Sequence, residues 1–327
     1  MPGHDRYLVT GVAGFIGSHV AETLLNEGHT VIGVDALTGN YSRLRKQANL
    51  GALRPHPSFR FVQADLTEVD LLRLLDDVTV VLHLAGEPGV RSSWGQHFGP
   101  YLQNNILATQ ALLEAARNTP GVKRLVYASS SSIYGDVAQL PVREDATPRP
   151  LSPYGVTKLA AEHLCSLYAR QFGISVVSLR FFTVFGPRQR PDMAFTRMIQ
   201  ALLAGEEIAV FGDGEQTRDF TYVGDVVGAV IAAARSTVAD RSAPIYNVGG
   251  GTRVSLRSAI ALLETIAQRK ARLRLAASEP GDVRHTWADC QAARADLGFA
   301  PKTDLRRGLT AQFEWERGQT VPADAAA

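Results

Sequence analysis

The chain has 327 residues, which is long for a single domain and short for three. Hydrophobic residues make up 45% and charged residues 20% of it, as in globular proteins with a sizeable core, and the formal net charge is only +2. This balance argues against a nucleic-acid partner, and because no stretch reaches the roughly 18 apolar residues of a membrane helix or forms a signal sequence, we expect a cytoplasmic protein with no membrane partner.

Short apolar runs alternate with helical patterns along the first half of the chain. The runs are RYLVTGV, TVIGVDAL, FRFVQADL, TVVLHLAG, KRLVYASSSS and ISVVSLRFF. Helices are predicted at SHVAETLLNEGH, at NNILATQALLEAARN and from Tyr154 onward. Strands separated by helices imply a parallel sheet covered on both faces. The predicted fold class is therefore α/β, a doubly wound parallel sheet of the Rossmann type with a smaller α/β substrate-binding lobe.

The order of these patterns predicts two interleaved domains. Residues 1–185, with a return segment at about 220–250, form the larger one, which binds a dinucleotide. Residues 186–219 and 251–320 form the smaller lobe, and 321–327 form a small polar tail. Substrate is expected in the cleft between the two domains.

Three glycines connect the first strand to the first helix in TGVAGFIGSHV. Gly11, Gly14 and Gly17 are spaced so that the backbone can approach a pyrophosphate at the helix N-terminus, although a tight turn alone would also use them. Asp35 follows 18 residues later, at a strand end, and can accept both hydroxyls of an adenosine ribose. This favours NAD over NADP, although two arginines follow closely. Asp65 could contact the adenine amine or cap the next helix.

Tyr154 and Lys158 are four residues apart in SPYGVTKLAAEH, so a helix places both on one face. Taken alone, such a pair is more often an exposed helix surface than a catalytic one. Cys165 and Cys290 stand in no disulfide or metal spacing. We interpret them as small apolar side chains in a reducing compartment, and we expect no metal.

Four motifs in order, TGVAGFIGSH, HLAG, YASSSSIYG and YGVTK, together resemble the extended short-chain dehydrogenase/reductase family in its NAD-dependent nucleotide-sugar epimerase branch. LRFFTVFGPRQRPDMAF, VFGDGEQTRDFTYVGDV and EPGDVRHTWAD are similar to the substrate-binding segments of that branch. The resemblance is especially close to the UDP-glucuronate 4-epimerases. It implies NAD as cofactor, a UDP-sugar as substrate, and a homodimer formed by helices near 100–118 and 154–172. The apolar stripes of these helices, at Leu102, Ile106, Leu164 and Leu167, permit such an interface, although a buried intramolecular face would show the same stripes.

The same resemblance implies a catalytic unit of Ser130, Tyr154 and Lys158. Tyr154 would take the proton of a sugar hydroxyl, Lys158 would stabilise the phenolate, and Ser130 would hold the oxygen. The implied NAD contacts are Gly11, Gly14, Phe15, Ile16, Gly17, Asp35, Asp65, Leu66, Leu84, Ala85, Tyr154, Lys158 and Phe181. The implied substrate contacts are Arg91, Ser130, Ser131, Ser132, Tyr154, Thr183, Arg188, Phe211, Arg218 and Asp282.

Several of these roles have alternatives. Arg91, Arg188 and the nearby Arg190 could border the substrate or merely solvate loops, and Arg218 could form an ion pair with Asp219. The opening oxidation also serves dehydratases and decarboxylases, which typically carry acidic residues beside the serine, whereas the stretch here is SSSSI.

The leading interpretation is 4-epimerisation of UDP-glucuronate to UDP-galacturonate through a 4-keto intermediate. It is favoured by Thr183, where many glucose-type epimerases of the family carry asparagine. The alternatives are a UDP-glucose 4-epimerase, a UDP-sugar decarboxylase or dehydratase, and a non-catalytic NAD-binding protein.

Overall fold

The computed structural model describes residues 5–237, 243–277 and 279–319. The strands are β1 (Arg6–Thr10), β2 (Thr30–Asp35), β3 (Phe59–Gln63), β4 (Val80–His83), β5 (Arg124–Ser130), β6 (Val176–Phe181), β7 (Val184–Phe185), β8 (Glu207–Phe211), β9 (Thr217–Asp219), β10 (Thr221–Tyr222), β11 (Ile245–Val248), β12 (Arg253–Ser255) and β13 (Arg272–Ala276). The helices are α1 (Phe15–Asn26), α2 (Arg43–Gly51), α3 (Leu71–Leu75), α4 (Phe98–Tyr101), α5 (Ala108–Arg117), α6 (Pro153–Phe172), α7 (Ala194–Ala204), α8 (Val223–Arg235), α9 (Leu256–Ala267), α10 (Gln291–Leu297) and α11 (Leu305–Gln319). A π-helical stretch, Leu102–Leu107, joins α4 to α5. None of the described helices is both long enough and apolar enough to cross a membrane.

Seven of the described strands form one sheet in the order β11-β6-β5-β4-β1-β2-β3, and every neighbouring pair is parallel. The chain runs outward from β1 through β2 to β3, then crosses back to β4 and continues in the other direction. At such a reversal the connections after β1 and β4 diverge, which leaves a crevice at the carboxyl ends of the strands. The predicted fold class, a doubly wound parallel α/β sheet, is confirmed.

The inner strands of this sheet are largely apolar on both faces because helices cover both, whereas the edge strand β3 exposes Arg60 and Gln63. Along β1, Tyr7 and Val9 pack with α1 and α8 on one face, and Leu8 packs with α3, α5 and α6 on the other. Side chains alternate between the faces of a strand, so a strand between two helical layers has no solvated position. Polar residues appear where strands leave the layers, as at Asp35 on β2 and Ser130 on β5.

A third apolar core lies outside the main sheet, mostly in residues 186–219 and 251–319, which we call the small lobe, and Phe185 and Phe220 next to these ranges also belong to it. Phe195 of α7 contacts Phe185 edge to face, with ring centroids 5.5 Å apart, and both pack with side chains of β8, α9 and α11. The strand pairs β8/β13 and β9/β12 complete the lobe. Within the same range, α10 packs instead on α8 and β11, because Ala293 belongs to the apolar core of the main sheet.

Candidate active site

A cavity of about 430 Å³ lies at the carboxyl edge of the main sheet, where the strand order reverses. Its volume is in the range of small-molecule sites. The residues predicted for the site that line it are Gly11, Gly14, Phe15, Ile16, Gly17, Asp35, Asp65, Leu66, Leu84, Ala85, Ser130, Ser131, Ser132, Tyr154, Lys158, Phe181 and Thr183. The fold therefore brings together residues that are up to 172 positions apart in the chain.

The glycine turn between β1 and α1 is packed so tightly that two of its positions exclude any side chain. A Cβ on Gly11, whose φ is +67°, would lie 2.9 Å from the backbone nitrogen of Ala85. A Cβ on Gly17 would lie 2.2 Å from the carbonyl oxygen of Gly11. Gly14 is the N-cap of α1. The backbone can therefore approach a ligand closely, and the first N–H groups of α1, which have no acceptor within the helix, suit a phosphate.

Asp35 is held at the cavity wall by two backbone N–H groups. Its Oδ2 accepts from Ala13 at 3.1 Å and its Oδ1 accepts from Leu37 at 2.8 Å. Burial raises the pKa of this carboxyl, while these bonds and the Lys46 ammonium oppose the rise. Lys46 donates to the carbonyl and hydroxyl oxygens of Thr38 at 2.9 and 3.0 Å. The carboxylate is thus fixed at the end of β2, where a ribose is expected.

Neither of the two arginines that follow Asp35 in sequence lines the cavity. Arg43 is exposed at the start of α2. Arg45 donates to both carboxylate oxygens of Glu316 on α11, at 3.4 and 3.3 Å. An arginine beside the ribose would favour a 2′-phosphate, so this arrangement favours the unphosphorylated ribose of NAD.

Tyr154 and Lys158 lie at the amino-terminal end of α6, on the helix face that meets β5. Ser152 caps this helix by accepting a hydrogen bond from a backbone N–H at 3.1 Å. Lys158 is 6% exposed, and its Nζ donates to the carbonyl of Ala128 on β5 at 2.8 Å. Ser130 ends the same strand, two residues further on. The spacing of four residues therefore joins a buried lysine to a partly buried tyrosine in the cavity wall, not two residues of a solvated helix surface.

Burial shifts the pKa values of both groups in the directions that favour their uncharged forms. It lowers the pKa of Lys158 to about 8. It raises the pKa of Tyr154, and a hydrogen bond from Ser130 and the charge of Arg190 oppose that rise. Lys158 therefore remains largely protonated at neutral pH, and Tyr154 is a neutral phenol that would need further positive charge to become a base.

The turn after β4, which contains the HLAG motif, is fixed by a buried histidine. Thr10 Oγ1 accepts from the backbone N–H groups of Leu84 and Ala85, both at 3.1 Å, and therefore donates its own proton to His83 Nδ1 at 2.9 Å. His83 Nε2 then donates to Thr109 at 2.9 Å. Burial lowers the pKa of His83 to about 3, so the ring is neutral.

Four residues predicted to contact substrate meet at the small lobe, outside the lining of the cavity. Arg91 donates to Asp282 at 2.6 Å, and its guanidinium lies 3.9 Å from the ring centroid of Phe211. Arg218 donates to two backbone carbonyls, and burial lowers its pKa while the charge of Asp282 opposes the shift. Asp219, considered as its ion-pair partner, instead accepts from backbone N–H groups at 2.7 and 3.0 Å.

The two arginines of GPRQRPD face different surroundings. Arg188 forms an ion pair with Glu22 of α1 at 2.8 Å and donates to Ser18 at 3.4 Å, and it does not line the cavity. Arg190 lines the cavity and donates to both oxygens of Asp192, at 3.0 and 2.9 Å. Of the two arginines whose roles the sequence left open, the structure thus places Arg190 at the cavity, where its charge acts on Tyr154, and Arg188 against α1.

Further residues of the cavity wall were missed by sequence reasoning. They include Asn40, Tyr41, Lys46, Glu87 and Met193. Glu87 directly follows HLAG, so its position next to that motif was an available signal. No periodicity marks the others, because they lie in or beside the irregular segments that follow β2 and β7.

A doubly wound sheet with a glycine turn, a carboxylate at the end of β2 and a Tyr–Lys pair in the cavity wall beside Ser130 defines a dinucleotide-binding protein of the short-chain dehydrogenase/reductase class. The chain belongs to the NAD dependent epimerase/dehydratase family, whose model matches residues 7–249. This confirms the resemblance on which the sequence interpretation relied.

Similar proteins span nearly the whole chain. The uncharacterized UDP-glucose epimerase YtcB of Bacillus subtilis is 46% identical over 95% of this chain and 97% of its own. UDP-glucuronate 4-epimerase of Thermodesulfobacterium geofontis is 39% identical over 95% of this chain and 96% of its own. The structure of UDP-glucuronic acid 4-epimerase from Bacillus cereus, in complex with UDP-glucuronic acid and NAD, has a TM-score of 0.93 at 43% identity and covers 96% of this chain and 99% of that chain.

Proposed function

We propose that this chain is an NAD-dependent UDP-sugar 4-epimerase that converts UDP-glucuronate to UDP-galacturonate. The observation that carries this proposal is the position of Ser131, Ser132 and Thr183 in the wall of the same cavity as Tyr154 and Lys158. These side chains bring neutral hydroxyl donors to the place where the proton-transfer pair lies. The named activities of the relatives support the same reaction class.

The residues of the cavity fit NAD. The glycine turn leaves backbone N–H groups for the pyrophosphate, and Asp35 would hold the adenosine ribose. Asp65, which lines the cavity, would contact the adenine end, although its Oδ1 also accepts from the backbone N–H of Thr67 at 2.8 Å. When bound, NAD supplies the acceptor for the hydride of the sugar C4 and the donor that returns it.

Tyr154 would accept and return the proton of the C4 hydroxyl. As that carbon becomes a ketone, the phenolate of Tyr154 would accept the proton, and it would give it back once the sugar has turned its other face. Burial raises the pKa of Tyr154, so its phenolate needs stabilisation. The hydrogen bond from Ser130 and the charge of Arg190 lower that pKa, and Lys158, one helical turn away, would add its own positive charge.

The carboxylate of glucuronate sets a further requirement. A ketone at C4 makes the sugar a β-keto acid, which loses CO₂ when the carboxylate bond stands perpendicular to the ketone plane. Hydrogen bonds from Ser131, Ser132 and Thr183 would hold that group still, each contributing on the order of 1.5–3 kcal/mol because the acceptor is charged. Holding the carboxylate in this way favours epimerisation over decarboxylation.

The uridine diphosphate is assigned to the cluster at the small lobe. Arg218 offers a planar guanidinium for phosphate oxygens, Asp282 a carboxylate for the ribose, and Phe211 a ring for the base. Arg91 connects the loop after β4 to Asp282 and Phe211 across the cleft. Arg188 forms an ion pair with Glu22 of α1, so we propose that it acts on the site only by holding that helix and not by contacting the substrate.

We further propose a homodimer formed through the helices from 98 to 117 and from 153 to 172. Leu102, Leu107 and Leu167 are 40%, 56% and 44% exposed on these helices, and a second copy of the chain would cover this apolar surface. The free thiols of Cys165 and Cys290 support the expected reducing compartment, the cytoplasm. The separate apolar core around Phe195 supports the division into a dinucleotide domain and a substrate lobe.

Proton NMR of the purified protein, mixed in turn with UDP-glucuronate, UDP-glucose and UDP-N-acetylglucosamine, tests the function. We expect conversion of UDP-glucuronate to UDP-galacturonate without release of UDP-pentose. Tyr154→Phe keeps the ring and removes the base, so turnover should fall by roughly 10²–10⁴-fold with binding retained. Preferential conversion of UDP-glucose would favour the alternative suggested by the 46% identical relative, and inactivity on all three would overturn the proposal.

A further inference from the structure

A buried carboxylate connects three elements behind the candidate active site. Ser129 and Arg180 are register partners on β5 and β6, so their side chains lie on the same face of the sheet, beneath α6. Glu162 of α6 reaches both. Its Oε2 accepts from Ser129 Oγ at 2.6 Å and from Arg180 Nε at 3.1 Å, and its Oε1 accepts from Arg180 Nη2 at 2.7 Å.

The charges of this cluster are fully paired in the protein interior. The side chains of Glu162 and Arg180 are 2% and 4% exposed. Arg180 Nη1 donates to Tyr134 Oη at 2.7 Å and to the carbonyl of Glu144 at 2.9 Å, so each of its three nitrogens has an acceptor. A bidentate buried pair holds a single geometry, and losing a partner leaves an uncompensated buried charge.

The cluster lies next to the residues proposed to react, on the same strand and the same helix. Ser129 directly precedes Ser130, and Glu162 lies one helical turn beyond Lys158, which itself lies one turn beyond Tyr154. Ser130 lies on β5 and Tyr154 lies on α6. The distance between their hydroxyl groups therefore depends on how α6 packs against β5.

We propose that Glu162, fixed by Arg180, is a positioning residue that holds the end of β5 through Ser129 and thereby sets Ser130 at its working distance from Tyr154. This inference rests on the proposed epimerisation. Glu162 touches neither substrate nor cofactor in this scheme. The bond from Lys158 to the carbonyl of Ala128 acts on the same strand from the same helix, one residue before Ser129.

Ser129→Ala tests the proposal with little risk to the fold, because Glu162 keeps both bonds to Arg180. We expect kcat on the UDP-sugar to fall about tenfold or more, with KM changed less than about twofold, since a small displacement of a reacting group is costly while ground-state binding is untouched. Ser129→Thr should restore most of the rate because it keeps the hydroxyl. Ser178→Ala, which alters another buried serine of this sheet, on β6, is the matched control and should leave kcat unchanged.

A double-mutant cycle separates positioning from general stability. If Ser129 acts through Ser130, then Ser129→Ala should cost nothing further in a Ser130→Ala background. If the double variant instead lost the product of the two single-variant reductions in kcat, the proposal would be overturned. A wild-type kcat for Ser129→Ala alone would overturn it as well.

Hydrogen exchange supplies a readout that needs no turnover. Ser129→Ala should speed amide exchange at 128–132 and at the start of α6 while leaving the rest of the sheet protected. Unchanged local exchange would overturn the positioning role even if no UDP-sugar reacts. Inactivity of the wild-type protein would instead overturn the proposed function, so the two failures are distinguishable.

Discussion

The residues of the candidate site differ in how they are held. Asp35 is fixed by two backbone N–H groups and Lys158 by one backbone carbonyl, so neither depends on another flexible side chain. Thr183, by contrast, is anchored through its backbone, whose carbonyl accepts from the N–H of Thr221 at 2.9 Å, and among the described residues no hydrogen bond is found for its hydroxyl in the cavity wall. A hydroxyl in that state is available to a substrate carboxylate.

Thr183→Val replaces this hydroxyl by a methyl group of nearly the same volume. On UDP-glucuronate we expect activity to fall by about tenfold or more, with new release of UDP-pentose, because the carboxylate of the keto acid loses a charged hydrogen bond. On UDP-glucose the change should be small. Proton NMR of both reactions measures this, and an equal loss on both sugars without pentose would contradict the carboxylate role.

At the scale of elements, the turn from β1 into α1 and the turn after β4 are packed directly on each other. Because Gly11 has no Cβ, its backbone can approach that of Ala85, and the hydroxyl of Thr10 accepts hydrogen bonds from the backbone N–H groups of Leu84 and Ala85. The wall of the cofactor cavity is therefore one unit made from two loops, in which close backbone contact replaces side-chain packing.

Gly17→Ala should disturb this unit, since the new Cβ would lie 2.2 Å from the carbonyl oxygen of Gly11 and backbone must move. We expect a loss of about 1–3 kcal/mol in the free energy of unfolding and loss of retained NAD. Gly51→Ala, at the end of α2 with nothing within 4 Å of its Cβ, is the matched control. Melting curves and the nucleotide content after gel filtration report both effects, and a Gly17→Ala protein that keeps NAD would refute the assignment.

For the whole molecule, stability depends on pH through groups that are buried uncharged. His83 is the clearest of them, because burial lowers its pKa to about 3 and both ring nitrogens are bonded to threonines. The unfolded chain binds a proton at this ring below pH about 6.5, and the native state does not. The stabilisation from neutral His83 is thus fully present above about pH 6.5 and is lost as the pH falls towards 3.

Denaturant unfolding of the wild-type protein between pH 7.5 and 5 should show this loss, at about 1.4 kcal/mol per pH unit from this one group once the pH is below 6.5. His83→Gln removes the titrating ring and should be less stable at pH 7.5 but less dependent on pH. The difference between the two slopes isolates His83 from the other histidines. Equal slopes would show that His83 is protonated in the native state.

Local patterns in the sequence were enough to predict the sheet, the glycine turn and the position of Asp35 at a strand end, whereas the Tyr154–Lys158 pair was singled out only through the family resemblance. Strand alternation, helical spacing and glycine conformation act over a few residues, so they leave readable traces in the chain. The order of four such motifs also identified the family, which the family match over residues 7–249 confirms.

Only the tertiary structure decided which distant side chains meet. Arg91 contacts Asp282 across 191 positions of sequence, and Arg188, at a φ of +64°, turns to α1 while Arg190 lines the cavity. Glu162 is an ordinary polar position on a helix until β5 and β6 pack beneath it. Such contacts depend on how helices and strands pack against each other. That packing is set by buried apolar surfaces that are distant in sequence, so no local spacing of residues predicts it.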